Sequence, residues 1–277
     1  QGRLTHPLRY DATSDHYQPV SWDSAFAEIG AELKAMDDPD QVVFYMSGRA
    51  ALETAYMYGL LARLYGTNNL PDSSNMCHES TSVALPESIG VPVATVTLND
   101  LEHTDGLFFF GQNTGTSSPR MLHELQAARE RGAEIVTFNP LRERGLERFV
   151  NPQSPREMLT PDSTVISTQY HQLAIGGDMA AIAGMCKALL AMDDLAIAEG
   201  RQRVLDVAFI EQHTHGFEDF EARIRSYTWE QLERRSGLTR AAMEAAATAY
   251  ARCERVIAPY GMGLTQHRHG VQTIQML

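Results

Sequence analysis

The sequence predicts an α/β fold in which a mainly parallel sheet is flanked by helices. Short runs of β-branched and aromatic residues alternate with longer segments of helical periodicity, a pattern typical of α/β proteins. The clearest unit spans an apolar strand over 106–113, a helix over 119–131 that ends at Gly132, and a second strand over 133–140. The continuous apolar run of the first strand indicates burial on both faces of a parallel sheet.

Three elements are predicted ahead of this unit. A helix follows Ser21, which is a suitable N-cap. Residues 41–48 predict a strand that ends in Ser-Gly, and residues 50–66 predict a helix that Gly66 terminates. The apolar stripes that support the two helices are Trp22, Phe26, Ile29 and Leu33 in the first and Leu52, Tyr56, Leu60 and Leu64 in the second.

Further elements are predicted after residue 170. Residues 171–192 predict the edge of a strand, a Gly-Gly turn and a helix capped by Asp178. That helix is apolar nearly all round and is expected in the core. Two more helices are predicted over 206–253, followed by a last strand and a glycine turn over 255–266.

Composition excludes several classes of protein. The chain has 277 residues and a formal charge of −12. Such an acidic surface argues against nucleic-acid binding, which depends on Lys and Arg. No apolar stretch approaches the ~18 residues of a membrane span, and no signal peptide is visible. Three cysteines fit a reducing compartment, here the cytoplasm, and are too few for the four thiolates of an iron–sulfur cluster.

Small and polar residues stand at four junctions between strands and loops. In open α/β sheets, ligands bind at the carboxyl ends of the strands, where backbone N–H groups can hold phosphate. The pattern favours a nucleotide-like ligand, although Gly and Asn at such turns can also serve only the backbone conformation. The junctions are Ser47–Arg49, Gly111–Asn113, Asn139–Arg142 and Gly261–Gly263.

Cys77 and His78 stand side by side, and the sequence places them in a polar loop just before a helix. A helix N-terminus favours the thiolate, and a soft thiolate suits a soft or high-valent metal. The alternative is that the cysteine is a small buried apolar residue and the histidine an ordinary surface side chain. The residues alone leave both interpretations open.

The remaining cysteines and histidines carry less weight. Cys186 lies among apolar residues of a predicted helix, and Cys253 ends an alanine-rich one, so both are expected to pack in the core. His267 and His269 flank Arg268 without a nearby cysteine or acid, which favours a solvated loop over a zinc site.

The segment SGRAALETAYMYGLLARLYGTNNLPDSSNMCHESTSVAL, residues 47–85, resembles the molybdopterin oxidoreductase superfamily. It contains a turn with a small residue and arginine, a helix, a Gly-Thr-Asn-Asn turn, and a cysteine followed by histidine. The resemblance extends to GRLTHPLRYD, VSWDSAFAEI and YGMGLTQHRHGVQTI, and so covers nearly the whole chain. It is to the catalytic subunit of formate-dehydrogenase-like enzymes.

The resemblance implies a molybdenum or tungsten centre held by two molybdopterin guanine dinucleotides. Cys77 would be the protein ligand to the metal, and His78 would place the substrate and handle its proton or hydride. The other implied cofactor contacts are Arg49, then Asn113 at a dinucleotide phosphate, Asn139 and Arg142 at a guanosine, Gly177 and Asp178 near a guanine, and Met262, Gly263 and Gln266 beside a pterin.

Two residues depart from the family pattern. Thr114 replaces a proline that often follows the loop asparagine, and Ser118 replaces a histidine. The second change puts one polar contact to the cofactor in doubt.

The resemblance also implies two interleaved Rossmann-like domains, as in the central domains of the formate dehydrogenase and dimethyl sulfoxide reductase fold. The first lobe would take residues 1–76 and 256–277, and the second, dinucleotide-binding lobe residues 77–255. The missing initiator methionine at Gln1 and the ending of the chain inside a helix lead us to expect an internal fragment. Such a fragment is expected to be inactive, and any 4Fe-4S cluster would come from a segment upstream.

The implied function is oxidation of formate or a small analogue, with electrons passing to a partner protein. Two alternatives remain. One is a cofactor-binding or structural relative without redox activity, and the other is a reductase of the same superfamily that acts on another substrate, such as nitrate.

Overall fold

The computed structural model describes residues 4–71 and 73–277. The chain divides into two compact units, Gln1–Met76 and Cys77–Leu277. Residues 1–3 and 72, which belong to the predicted first lobe, lie outside the described residues.

The first unit contains a β-hairpin and two helices. Its elements are β1 (Leu8–Asp11), β2 (His16–Pro19), α1 (Trp22–Ala35), a 3-10 turn (Pro39–Gln41) and α2 (Leu52–Tyr65), and α3 (Ser73–Ile89) crosses the boundary into the second unit.

Both predicted helices of the first unit are confirmed. The Ser21 side chain accepts a hydrogen bond from the Ser24 N–H at 3.1 Å, so α1 begins where the capping residue predicts. Gly66 ends α2 with a φ of 107°, a left-handed conformation that glycine adopts without steric cost. These ends are local properties of the chain.

The strand predicted over residues 41–48 is not formed. Gln41 ends the 3-10 turn, and residues 42–47 have no regular secondary structure, although Val42 is extended. The Phe44 N–H donates to the Asn69 carbonyl at 2.9 Å, and the Phe44 ring is buried. A strand requires a ladder with a neighbour, and within the described part of this unit β1 and β2 pair only with each other.

The second unit contains six strands and the larger set of helices. After a 3-10 helix (Leu98–Glu102) come β3 (Gly106–Phe110), α4 (Thr114–Ser117), α5 (Met121–Glu130), β4 (Glu134–Phe138), α6 (Arg144–Glu147), β5 (Arg148–Phe149), α7 (Pro155–Leu159), β6 (Thr164–Val165), β7 (Gln169–His171), α8 (Asp178–Ala198), α9 (Val207–His213), α10 (Phe217–Ser226), α11 (Trp229–Ser236), α12 (Arg240–Ala251), β8 (Val256–Ile257), α13 (Met262–Thr265) and α14 (Gly270–Met276).

A four-stranded parallel sheet of order β7-β4-β3-β8 forms the centre of this unit, which confirms the predicted α/β class. β3 is buried at every position, and its side chains alternate between two apolar clusters. Phe108 and Phe110 pack with α8 and α12, whereas Leu107 and Phe109 pack with α5. The prediction of a strand buried on both faces is therefore confirmed.

The helix α8 lies in the core as predicted, but Asp178 does not cap it. The N-cap is Gly177, no side chain forms a cap hydrogen bond, and Asp178 is the first helical residue. Gly184 allows close packing against α12, because a Cβ there would lie 2.2 Å from Sδ of Met243. None of the helices in the described part of the chain has the length and apolar character needed to cross a bilayer.

Residues 206–253 form four helices instead of the predicted two. Gly216 and Gly237 adopt left-handed conformations with φ of 75° and 73°, which interrupts helical hydrogen bonding. Thr228 and Thr239 then cap the following helices by accepting backbone N–H bonds. Glycines and capping threonines in short polar segments thus divide this region into more helices than the apolar periodicity predicts.

Residues 256–277 cluster with the second unit, where β8 pairs in parallel with β3. The interleaved lobe division, with residues 256–277 completing a first lobe, stays a prediction.

The Asp193 side chain holds the segment that follows α8 by hydrogen bonds. Its carboxylate is 2% exposed and accepts bonds from Arg203 at 2.6 Å and from the Val204 N–H at 2.8 Å. The bond from Arg203 holds the pKa of Asp193 below its ordinary value. The neighbouring Asp194 forms an exposed ion pair with Arg225.

We predict that Asp193→Ala lowers the free energy of unfolding by about 2 kcal/mol, because it leaves buried N–H groups without an acceptor. Asp194→Ala is the matched control and is expected to cost less than about 1 kcal/mol, since exposed ion pairs contribute little. Urea unfolding of the two variants tests this, and equal losses would contradict it.

Candidate functional site

The parallel strands of the second unit end at one edge of the sheet, and most of the predicted site residues follow these ends. β3 leads into Gly111–Asn113, β4 into Asn139, and β8 into Tyr260 and Gly261. This carboxyl edge is where open α/β sheets bind ligands.

Two glycines bring the loops after β3 and β8 into direct backbone contact. Gly111 has a φ of 55°, and a Cβ built on Gly263 would lie 2.5 Å from the Cα of Gly111. The Gly263 N–H also donates to the Gly111 carbonyl at 3.3 Å. No larger residue fits at either position without moving the backbone, so packing alone accounts for both glycines.

Asn113 caps the short helix α4, and its side-chain oxygen accepts a bond from the Thr116 N–H at 3.2 Å. Thr114, where the resemblance implies a proline, is fully buried. Its hydroxyl has no hydrogen-bond partner among the described residues. The hydroxyl is buried within the protein and does not line the open edge.

The end of β4 forms a second cluster. The buried Asn139 donates to the Leu141 carbonyl at 2.7 Å. Tyr170 donates to the same carbonyl at 2.7 Å, and the Arg142 guanidinium lies 5.3 Å from the centre of the Tyr170 ring. Arg142 also pairs with Glu147, with Nε and Oε1 2.7 Å apart. The guanidinium is about half exposed and can still contact a ligand.

Tyr170 is a residue that the sequence analysis missed. It lies in β7, its hydroxyl also accepts the Glu143 N–H at 3.1 Å, and burial raises its pKa. The one available signal was an aromatic residue at the end of a short segment rich in β-branched residues, 164–170.

The turn before α8 places Gly177 and Asp178. A Cβ on Gly177 would lie 2.8 to 2.9 Å from three backbone carbonyl oxygens, so packing explains this glycine without a ligand. Asp178 is 5% exposed, and burial raises the pKa of its carboxyl to about 6. Its own backbone N–H and the nearby His267 act in the opposite direction. Asp178, His267 and Arg268 line a cavity of about 400 Å³.

Cys77 and His78 do not lie in a loop, contrary to the prediction. Both are part of α3, and the helix is kinked at His78, which has non-helical angles of φ −137° and ψ 20°. The thiol of Cys77 is partly exposed and His78 is exposed. Serine and asparagine are common in loops, which favoured the prediction, but nothing in the segment before Cys77 prevents a helix.

α13 and the residues after it connect the predicted positions of the second unit. The Thr265 hydroxyl donates to the Cys77 carbonyl, Gly263 contacts Gly111, and the ring of His267 lies against Gly176. The half-exposed Met262 begins α13 and Gln266 follows it. The structure therefore brings Cys77, Met262, Gly263 and Gln266 into one region that borders the loop before Asn113 and the turn before Asp178.

Arg49 belongs to the first unit. It is exposed, in a turn where its N–H donates to the Ser47 hydroxyl at 3.3 Å. Across residues 4–71 and 73–277, no three His, Cys, Asp or Glu side chains are grouped so that they could hold a metal ion.

Comparison with known proteins identifies relatives across the whole chain. A family model described as "Molybdopterin oxidoreductase" matches residues 3–277. Protein YdeP of Escherichia coli K12 is 52% identical over 276 residues, which cover 100% of this chain and 36% of that protein. The "Uncharacterized oxidoreductase Rv2900c" of Mycobacterium tuberculosis H37Rv is 41% identical over 274 residues, 99% of this chain and 34% of that protein.

Formate dehydrogenase H of Escherichia coli K12 is 26% identical over 280 residues, 99% of this chain and 35% of that protein. Among solved structures, acetylene hydratase from Pelobacter acetylenicus superposes with a TM-score of 0.61 at 20% identity, covering 99% of this chain and 34% of that one. That likeness shows a shared fold. The chain spans about a third of the length of the curated relatives that it matches.

We predict that Asp178→Asn stabilises the protein relative to the wild type as the pH rises from 4 to 7. The carboxyl has a pKa of about 6 in the folded chain against an ordinary 3.8, so the folded state holds its proton more tightly. The stability of the wild type therefore falls through this window, and the difference between the two proteins changes by about 2–3 kcal/mol.

Urea unfolding at both pH values measures this difference. Asp194→Asn is the control, and its trend is expected to be opposite because Arg225 holds the pKa of Asp194 below its ordinary value. A difference between wild type and Asp178→Asn that does not vary with pH would contradict the prediction.

Proposed function

This chain belongs to the molybdopterin oxidoreductase family, and we propose that it contributes the metal ligand and part of the cofactor site of an enzyme that oxidises formate or a small analogue. The observation that carries the proposal is the pair Cys77 and His78 at the kink of α3. The partly exposed thiol and the exposed imidazole are adjacent, and Thr265 ties their backbone to α13.

The substrate class is supported by the relatives. Formate dehydrogenase H and the alpha subunit of an F420-dependent formate dehydrogenase from Methanocaldococcus jannaschii are each 26% identical to this chain. The histidine directly after the cysteine is the feature that favours formate over other substrates of the superfamily.

The donor set of the chain fits a molybdenum or tungsten centre held by pterin dithiolenes. Such a cofactor brings its own sulfur ligands, so the protein needs to supply only one soft donor. Cys77 is such a donor, and it has no neighbouring ligand set among the described residues that would suit a conventional metal site. When bound, the cofactor would accept the two electrons of the substrate.

The sheet edge would hold the dinucleotide parts of a bis-molybdopterin guanine dinucleotide. Arg142 presents a half-exposed cation beside an aromatic ring, which suits phosphate or a base. Asp178 presents a buried carboxylate to a cavity and can accept hydrogen bonds from a base. The remaining proposed contacts are Arg49, Asn113, Asn139, Gly177, Met262, Gly263 and Gln266.

His78 would manage the proton of the reaction. Histidine is the side chain that ordinarily changes charge between pH 5 and 8, so it can accept a proton from a small acid and release it to water. Its exposure at the kink leaves the ring accessible to a substrate. A partner protein would receive the electrons, and the three free cysteines support a cytoplasmic location.

We predict that Cys77→Ala in the full-length protein lowers its content of molybdenum or tungsten by about tenfold or more, because the metal loses its protein ligand. Elemental analysis of purified protein measures this. Cys253→Ala is the matched control, since that thiol donates within the protein to the Ala249 carbonyl at 3.2 Å. Full-length protein that folds well but contains no metal, after expression with cofactor supply, would refute the proposal and favour a structural relative.

We predict that His78→Ala retains the metal and lowers kcat for formate by about 10²–10⁴-fold, the usual contribution of a general acid or base. Steady-state assays with formate and with nitrate separate the substrates. Turnover of nitrate without turnover of formate would replace formate dehydrogenase by a reductase of the same superfamily.

A further inference from the structure

The backbone of Cys77, next to the kink at His78, has a hydrogen-bond partner outside its own helix. In a regular helix the carbonyl of residue 77 would accept the N–H four residues later. His78 has non-helical angles, so α3 is not a regular helix at this point. The hydroxyl of Thr265 donates to this carbonyl. Thr265 is only 5% exposed, so water does not replace it readily.

A second hydrogen bond runs in the opposite direction, from a donor in α3 to an acceptor in α13. The Ser80 hydroxyl donates to the Thr265 carbonyl at 2.7 Å. Gly270 allows the approach, because a Cβ there would lie 2.7 Å from the Ser80 hydroxyl and 2.8 Å from the Thr265 carbonyl oxygen. We name these two reciprocal bonds, between Thr265 and the pair Cys77 and Ser80, the Thr265 clasp.

A third bond holds the next residue of α3. The Tyr260 hydroxyl donates to the Thr81 hydroxyl at 3.2 Å. The segment from Cys77 to Thr81 is thus bound on both sides of the kink by residues that lie more than 170 positions later in the chain.

We propose that Thr265 is a positioning residue for Cys77 and His78. Fixing the Cys77 carbonyl restrains the peptide plane that contains the Cα atoms of both residues. Together with ψ of Cys77 and φ of His78, this plane determines the direction of the two Cα–Cβ bonds. The Thr265 clasp therefore orients the thiol and the imidazole together. The inference rests on the proposed function for its catalytic meaning, while its geometric content stands on the hydrogen bonds alone.

A purely structural role for Thr265 would have a different signature. Loss of general stability exposes all three cysteines of this chain to reagents, whereas loss of the orientation set by Thr265 changes Cys77 alone. Cys186 and Cys253 serve as internal references, since burial raises the pKa of both thiols to about 11.

The test measures the rate of iodoacetamide alkylation at each cysteine by mass spectrometry, in full-length protein purified without its cofactor. Thr265→Val removes the hydroxyl at nearly constant volume. Release of the Cys77 carbonyl would let the partly exposed thiol move further into solvent. We therefore expect the rate at Cys77 to rise about fivefold or more, the effect of losing one hydrogen bond, while the other two rates stay constant. Thr265→Ser keeps the hydroxyl and should restore the rate of the wild type.

Thr273→Val is the matched control, because the buried Thr273 hydroxyl also donates to a backbone carbonyl, that of His269, at 2.8 Å. The rate of alkylation at Cys77 in Thr273→Val should equal that of the wild type. If Thr265→Val does not fold, Ser80→Ala provides the second variant, with a smaller increase at Cys77.

An unchanged Cys77 rate in Thr265→Val, or an equal increase in Thr273→Val, would overturn the proposal. The result is independent of metal binding, since the alkylated protein contains no cofactor. Failure of the proposed function would appear instead as a full-length protein without metal whose Cys77 still responds to Thr265.

Discussion

The backbone contact between Gly111 and Gly263 is the constraint on which the candidate site depends. It fixes the loop after β3 against α13 without any side chain between them. The sheet edge behind Gly111 and the residues after Gly263 are consequently held in one arrangement. In the same segment, Thr265 donates a hydrogen bond to the Cys77 carbonyl, and His267 lies against Gly176 in the turn before Asp178. A contact between two residues without side chains thereby helps to hold the backbone segments that carry Cys77, His78 and Asp178.

Much of the second unit was predictable because its sequence signals are either local to one turn or are apolar runs that continue along a whole element. β3 is apolar along its length, β4 contains Ile135, Val136 and Phe138, and α8 is apolar nearly all round, so these elements were expected to be buried on both sides. The same reasoning failed for residues 41–48, since a strand exists only with a neighbour. It also failed for residues 206–253, where two left-handed glycines divide the apolar periodicity into separate helices.

The residues of the candidate site could be proposed from the sequence, but the hydrogen bonds that hold them in place could not. Asn139 could be selected because it stands at a junction between strand and loop, and Cys77 because a histidine follows it, whereas the role of Asp178 came only from the resemblance to the family. Thr265 could not, because its role comes from a hydrogen bond between residues 188 positions apart. Tyr170 was missed for a similar reason, since its hydroxyl contacts Leu141 and Glu143 on another loop. Periodicity and spacing carry no information about pairs so far apart.

The strand β8 has a consequence for motion. It contributes only two residues to the sheet and one further bridge at Tyr260, yet it carries the segment that joins Cys77 to the turn before Asp178. Few ladder bonds therefore hold β8 itself, so its pairing with β3 is expected to open more easily than the pairing of β3 with β4. A ligand that spans the region would slow amide hydrogen exchange there much more than in β3 and β4. Ordering of this edge would then be part of the free energy of binding, and the rigid centre of the sheet would contribute little to it.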